Sequence, residues 1–255
     1  MKIFSVFGVS DSGKTTTIEF LIRELIRRGY TVGSVKDIHF EGFTIDTVGT
    51  NTYRHKQAGA NPVTARGLNE TDVLFTERLT IAEILRFYSG KDFVILEGVR
   101  ETGIPAILTA GIDEFESDEM SKLDEQITPF VFGISGRIAA KISEYRGLPA
   151  IDATSDITAL ADLVERKVYD YLPMHPKECC GLCGFDCETL GRRIIAGESL
   201  RGDCLLQKRV SLTVNGQEIE MVSFVQTILK NTVLGVAKEL RGYEKGQIQV
   251  TFYDE

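Results

Sequence analysis

Met1-Lys2-Ile3-Phe4-Ser5-Val6-Phe7, running into Gly8-Val9-Ser10-Asp11-Ser12-Gly13-Lys14-Thr15, is the stretch that decides the fold of this chain. The first seven residues read as a short buried strand. The next eight fit G-x-x-x-x-G-K-[ST], in which glycines turn backbone N–H groups inward around phosphates. Lys14 is spaced to reach the β and γ phosphate oxygens, and Thr15 to ligate Mg²⁺. A helix pattern follows from about Gly13 to Arg28, with Ile18, Leu21, Ile22, Leu25 and Ile26 on one face. Its positive N-terminal end adds to the anion site. Thr31–Lys36 reads as the next strand, which completes a βαβ unit and predicts a mostly parallel α/β sheet. Asp11 is an unusual loop member, and repulsion predicts that its carboxylate points outward from phosphate.

Working outward, Asp72–Thr76, Phe93–Leu96, Ala106–Thr109 and Phe130–Ile134 suit buried strands, and Thr80–Tyr88 and Asp156–Tyr171 suit helices. A phosphate loop needs a second acid after an apolar strand to hold Mg²⁺. Phe93-Val94-Ile95-Leu96-Glu97 supplies one, with Glu97 at the strand's C-terminal end, where open α/β sheets bind ligands. Asp92 precedes that strand and is the weaker candidate. Lys36, Asp37, His39 and Asp46 follow the second strand at the same edge, as candidates to meet phosphate, metal or a second substrate. The nucleotide contacts expected from these motifs are Gly8, Ser10, Ser12, Gly13, Lys14, Thr15, Thr16 and Lys36. Lys14 and Glu97 carry the catalytic roles, and Thr15 and Glu97 take magnesium. No Asn-Lys-x-Asp guanine-reading motif is present, so these residues leave GTP and ATP open.

The whole chain has 255 residues, a formal net charge of −8 and a 43% hydrophobic fraction. Those values describe a globular chain and argue against general nucleic-acid binding, which needs a basic footprint. No apolar run reaches transmembrane length and no signal peptide leads the chain, so a cytoplasmic protein without membrane contact is expected. Five cysteines, Cys179, Cys180, Cys183, Cys187 and Cys204, fall within 26 residues after a cysteine-free stretch of 178. The spacing Cys180-x₂-Cys183-x₃-Cys187-x₁₆-Cys204 predicts a soft-metal centre, a [4Fe–4S] cluster first, Cys₄ zinc second and a redox disulfide third. A helical stretch, Thr189–Ala196, is placed to bring Cys204 back to the loop; Cys179 reads as a spare thiol and His175 as a linker histidine.

The prolines of Leu172–Glu178 mark a boundary. The expected organisation is a phosphate-loop NTPase domain at 1–172, a cysteine-rich iron–sulfur segment at 173–208 and a ββαβ C-terminal unit at 209–255. In that unit Asn215-Gly216 turns a hairpin, Phe224–Leu240 forms an amphipathic helix and Gln247–Phe252 closes as a strand. The acid-rich Asp113–Glu125 reads as a solvated loop or helix.

Residues 1–170 resemble the molybdopterin-guanine dinucleotide biosynthesis protein B family, a GTP-binding adaptor that assists nucleotide attachment to molybdopterin. The resemblance rests on Gly8–Thr17, Val35-Lys36-Asp37-Ile38-His39, Asp46 with Gly49–Arg54, Ala58-Gly59-Ala60 and Leu96-Glu97-Gly98. The family usually has Lys-His where this chain has Lys36-Asp37, and an acid at Asn51. The cysteine segment resembles a small four-cysteine iron–sulfur domain of anaerobes, with one residue fewer between its second and third cysteines. The resemblance implies GTP as nucleotide, slow hydrolysis, a cofactor guanylyltransferase or molybdoenzyme maturation factor as partner, and is compatible with a homodimer. Two other classes stay open: a nucleotide-gated electron-transfer or metallocentre-delivery protein, against whose dimer-bridging form the absence of a lysine at Val9 counts, and a small-molecule kinase using Asp37 or Asp46 as base.

Overall fold

The computed structural model describes residues 1–100, 103–111, 120–172, 174, 183–204, 210, 212–219, 221, 223–244 and 248–251. Its centre is a parallel sheet in the order β2 (Val32–Lys36), β5 (Phe93–Glu97), β1 (Lys2–Gly8), β6 (Ala106–Thr109) and β7 (Val131–Ser135). The reason these strands read as unbroken apolar runs is that both faces are covered. Along β5, Phe93 and Ile95 face one side while Val94 and Leu96 face the other, and all four are buried.

Helices α1 (Lys14–Arg27), α5 (Ile157–Lys167) and α6 (Cys187–Ala196) cover the first face. Leu21 and Leu25 of α1, Leu160 and Val164 of α5, and Leu190 and Ile195 of α6 join Phe4, Val6, Phe93 and Ile95 in one cluster. A buried carboxylate ties this layer together. Glu24 accepts from Arg27 Nε (2.7 Å) and Arg28 Nε (2.8 Å), and Arg28 reaches across to Asp162 (2.7 Å) and Glu165 (3.0 Å) of α5. The Arg27 and Arg28 bonds outweigh burial and hold the Glu24 carboxyl down to about 2. On the opposite face α3 (Ile81–Leu85) contributes Leu85 and α4 (Met120–Gln126) contributes Leu123. The α3 start carries a capping box between Thr80 and Glu83.

Beyond β2 lies a small outrigger of α2 (Asn51–Gln57) and the antiparallel pair β3 (Val63–Arg66) and β4 (Thr71–Leu74). The expectation of a buried strand at Asp72–Thr76 is corrected here. β4 is an exposed hairpin strand of four residues, because Glu70, Thr71 and Asp72 leave it no continuous apolar face.

The helix expected at Thr189–Ala196 is present as α6, started by the Asp186 side chain on Thr189 N (2.7 Å) and stopped by left-handed Gly197. It packs on the sheet's own core: Lys167 Nζ donates to Ile195 O (2.8 Å), and a Cβ at Gly191 would meet Phe130 and Tyr169. A short antiparallel pair, β8 (Glu144–Tyr145) and β9 (Leu148–Pro149), lies between β7 and α5. Near the C-terminus β10 (Leu212–Val214) and β11 (Gln217–Ile219) flank Asn215 and Gly216, both at positive φ, as a type I′ hairpin requires. α7 (Ser223–Ala237) follows. The closing strand is not found: Ile248–Thr251 are irregular, and Gln247 and Phe252 lie outside the described residues.

Candidate functional site

The site forms at the C-terminal edge of the sheet, where β1 ends in the phosphate loop. Gly8 closes the strand, Ser10 stands exposed at the loop tip, and Gly13 caps α1 in the left-handed conformation. A Cβ at Gly13 would come 3.1 Å from Gly136 Cα, and one at Gly136 would run into the Ser12 carbonyl oxygen. The loop after β7 therefore seats directly on the phosphate loop, and Arg137 N donates to Ser12 O (3.1 Å) to fix it there.

Ser12 is expected among the nucleotide contacts, and its side chain is not free to make one. It is fully buried instead, hydrogen-bonded to Val9 O (2.8 Å) and Thr109 Oγ1 (2.8 Å), and braces the loop against β6. Lys14 Nζ donates to Gly8 O (3.2 Å) and to Val9 O across the loop mouth. Burial pushes the Lys14 ammonium below the usual lysine range, with Glu97 opposing and Lys36 and Arg100 adding to the fall. Thr16 is exposed on the first turn of α1, on the side of the adjoining cavity. Asp11 is exposed on the lining of the adjoining cavity and sits at φ 57°, a left-handed conformation that costs a non-glycine residue roughly 1 kcal/mol.

Thr15, Lys36 and Glu97 come together. Thr15 Oγ1 donates to Glu97 Oε1 (2.9 Å), and Lys36 Nζ donates to the same oxygen (2.6 Å). Adjacent parallel strands explain the meeting, since Lys36 and Glu97 are in register on β2 and β5. A hydroxyl beside a carboxylate is a hard-oxygen donor set, and it fits Mg²⁺.

Asp37, His39 and Asp46 are not part of this group. Both Asp37 oxygens accept from Arg78 Nη2 at 3.1 Å, and exposed His39 stands 3.7 Å from Asp37. Asp46 is the hub of the outrigger: Thr47 N, Thr50 Oγ1 and Thr52 Oγ1 bond its Oδ1, and Lys56 meets Oδ2 at 3.0 Å. Burial alone would raise its carboxyl, but Lys56, Thr50 and Thr52 hold it at about 2. Asp92 is spent at the start of β2, accepting from Thr31 N and Thr31 Oγ1 at 2.8 Å.

A cavity of about 500 Å³ opens from the loop toward the β7 side, lined by Lys14, Thr16 and, opposite, Arg137, Ala140, Asp152 and Thr154. The sequence reading missed that second wall. Its one available signal was another apolar run ending in an acid, Pro149-Ala150-Ile151-Asp152, which repeats the logic of Glu97.

The cysteine expectation is not met among the described residues. Cys183, Cys187 and Cys204 carry no disulfide, and no three His, Cys, Asp or Glu side chains gather into a metal-holding group. Cys183 Sγ donates to Phe185 O (3.4 Å), and Cys204 is buried in the core beside α6, with Cys183 and Cys187 packed against the same cluster. Cys179, Cys180 and His175 lie outside the described residues.

The family model for molybdopterin guanine dinucleotide synthesis protein B matches residues 3–131, just over half of the chain. This chain belongs to the MobB family. Relatives agree in kind. A protein of Methanocaldococcus jannaschii, named for a molybdopterin-guanine dinucleotide biosynthesis adapter, is 28% identical over 250 residues, 96% of this chain and 94% of its own length. The molybdopterin-guanine dinucleotide biosynthesis adapter protein of Haemophilus influenzae is 28% identical over 176 residues, 66% of this chain and 90% of its own. The first match takes in nearly the whole chain; the second takes in about two thirds of it. The crystal structure of Bacillus subtilis MobB shares the fold, with a TM-score of 0.51 at 23% identity over 66% of this chain and 99% of that one. The MobB fold is thus the phosphate-loop α/β unit with its mostly parallel sheet. Among the described residues, no helix of this MobB chain is long and apolar enough to cross a membrane.

Proposed function

We propose that this chain is a GTP- and Mg²⁺-binding adapter in molybdopterin guanine dinucleotide assembly, with slow nucleotide hydrolysis. The observation that carries the reading is the convergence of Thr15 and Lys36 on one Glu97 carboxylate oxygen beside the phosphate loop. Thr15 and Glu97 would hold the cation, which when bound neutralises charge on the β and γ phosphate oxygens. Lys14 and the backbone of Gly8–Gly13 would take the phosphates, with Ser10, Thr16 and Lys36 at the margin. Slow turnover is expected because the two acids after β2 are not free to act as a base: Asp37 is paired with Arg78, and the Asp46 carboxyl is held at about 2. The same two facts weigh against the small-molecule kinase.

The partner this reading implies is the guanylyltransferase that handles the cofactor, or a maturation factor for the enzymes that receive it. The division at about residue 172 belongs to the same proposal as a change of chemistry along the chain, since α6 beyond it packs in the sheet's own core. A [4Fe–4S] cluster, or zinc, on Cys180, Cys183, Cys187 and Cys204 rests on spacing alone, and the described thiols lend it no support. The nucleotide-gated electron carrier needs that cluster and is not favoured. Magnesium-dependent GTP binding by the purified protein, lost in Lys14→Ala, is the deciding experiment; a chain that binds no nucleotide sinks the reading. Iron, sulfide and zinc analysis of anaerobically purified protein decides the cysteine segment.

A further inference from the structure

The cavity beside the phosphate loop has the size and position of a nucleoside pocket, and its far wall carries an acid with one oxygen fixed and the other available. Ala150 pairs in parallel with Ile134, and Ile151 N donates to Ile134 O (2.9 Å). This short extended segment continues the sheet beyond β7 and delivers Asp152 to the same C-terminal edge as the phosphate loop. Thr154 N (2.9 Å) and Thr154 Oγ1 (2.8 Å) both donate to Asp152 Oδ1. Those two bonds hold the carboxylate in one orientation and leave Oδ2 without a hydrogen bond among the described residues. The side chain is half-buried, in a wall it shares with Arg137, Ala140, Ala153 and Thr154. Arg137 lines the cavity as well, with its guanidinium in no ion pair among the described residues and its backbone anchored to Ser12.

We infer that Asp152 reads the nucleotide base and makes the site selective for guanine, an assignment that rests on the nucleotide-binding reading above. A fixed carboxylate offers acceptors only. Guanine presents N1–H and the 2-amino group side by side, two donors that match it. Adenine presents the lone pair of N1 beside its amino group, and that lone pair meets the carboxylate with repulsion. Sites built on buried polar groups reject the mismatched ligand because the groups are left unpaired. The planar Arg137 guanidinium is suited to lie along the base face. The carboxylate thus does the work of the Asn-Lys-x-Asp motif that the sequence lacks.

The test is calorimetric titration of the full chain with GTP, ATP and XTP in Mg²⁺, for wild type and Asp152→Asn. Xanthine carries a carbonyl where guanine has its 2-amino group, so it needs a donor there, which asparagine supplies while still accepting from N1–H. The expected result is at least ten-fold preference of wild type for GTP over ATP, an Asp152→Asn variant at least ten-fold weaker for GTP, and a gain of XTP binding. A gain of XTP binding cannot come from misfolding. Unchanged GTP affinity in Asp152→Asn, or a wild type that prefers ATP, overturns the assignment alone. A wild type that binds no nucleotide overturns the functional reading and this inference together.

Discussion

The Thr15 hydroxyl donates to Glu97 Oε1 at 2.9 Å, although 82 residues of chain separate the two. The bond exists because β1 and β5 are neighbours in parallel register, so the residues that follow one strand meet the end of the other. Removing the Glu97 charge while keeping its shape isolates what the carboxylate contributes. Glu97→Gln should fold normally and lose affinity for Mg²⁺-GTP by roughly ten- to a hundred-fold, the range of a lost charged hydrogen bond of about 1.5–3 kcal/mol. Titrating GTP at several Mg²⁺ concentrations checks this, and a variant with wild-type magnesium dependence would remove Glu97 from the site.

Gly136 sits at φ +79°, and a Cβ there would collide with the Ser12 carbonyl. Gly136→Ala should therefore push the β7 loop off the phosphate loop. Conformational strain and overpacking together predict about 2–4 kcal/mol of destabilisation. Thermal unfolding should show a Tm lower by on the order of 5–10 °C, with weaker nucleotide binding by the fraction that stays folded.

Acid should act on the Glu24 clamp between α1 and α5. Its carboxyl is held at about 2 against an ordinary 4.5, so the clamp's stabilisation is fully present above about pH 4.5 and is lost as pH falls toward about 2. Glu24→Gln should be less stable than wild type at neutral pH, and the difference should shrink steadily below pH 4.5. Denaturant unfolding of both proteins from pH 7 to 3 measures it; a constant difference would mean the carboxylate is not the source.

Asp11 places a carboxylate on the rim of a loop built for anions. Asp11→Asn retains a residue that tolerates the left-handed conformation and removes the repulsion. One exposed unit charge is worth about 1 kcal/mol, so GTP should bind roughly three- to ten-fold more tightly. The gain should fade in high salt, where exposed charges are screened.

The phosphate loop, its strand and α1 were legible in sequence because each obeys a local rule: glycines where the backbone must turn inward, a period of 3.6 in the helix, and an unbroken apolar run in a strand buried on both faces. The same is true of α6, with Asp186 at its start and Gly197 at its stop, and of the Asn215-Gly216 hairpin. β4 misled because short apolar runs look alike whether or not anything covers them. The cysteine spacing constrains distance along the chain only; the described residues show Cys204 in the core beside α6, and Cys180 lies outside them.

By itself, then, the sequence determined the strand–loop–helix unit and the residue types a phosphate site needs, since backbone conformation and side-chain periodicity are encoded within a few positions. Only the tertiary structure decided which of those residues work together. Strand order brings Glu97 and Lys36 to Thr15, sends Ser12 inward as a brace, spends Asp46 on the outrigger, and carries Asp152 to the far wall of the cavity. The physical reason is that a sheet joins residues by register across strands, and register is a property of the packed core, which no local window contains.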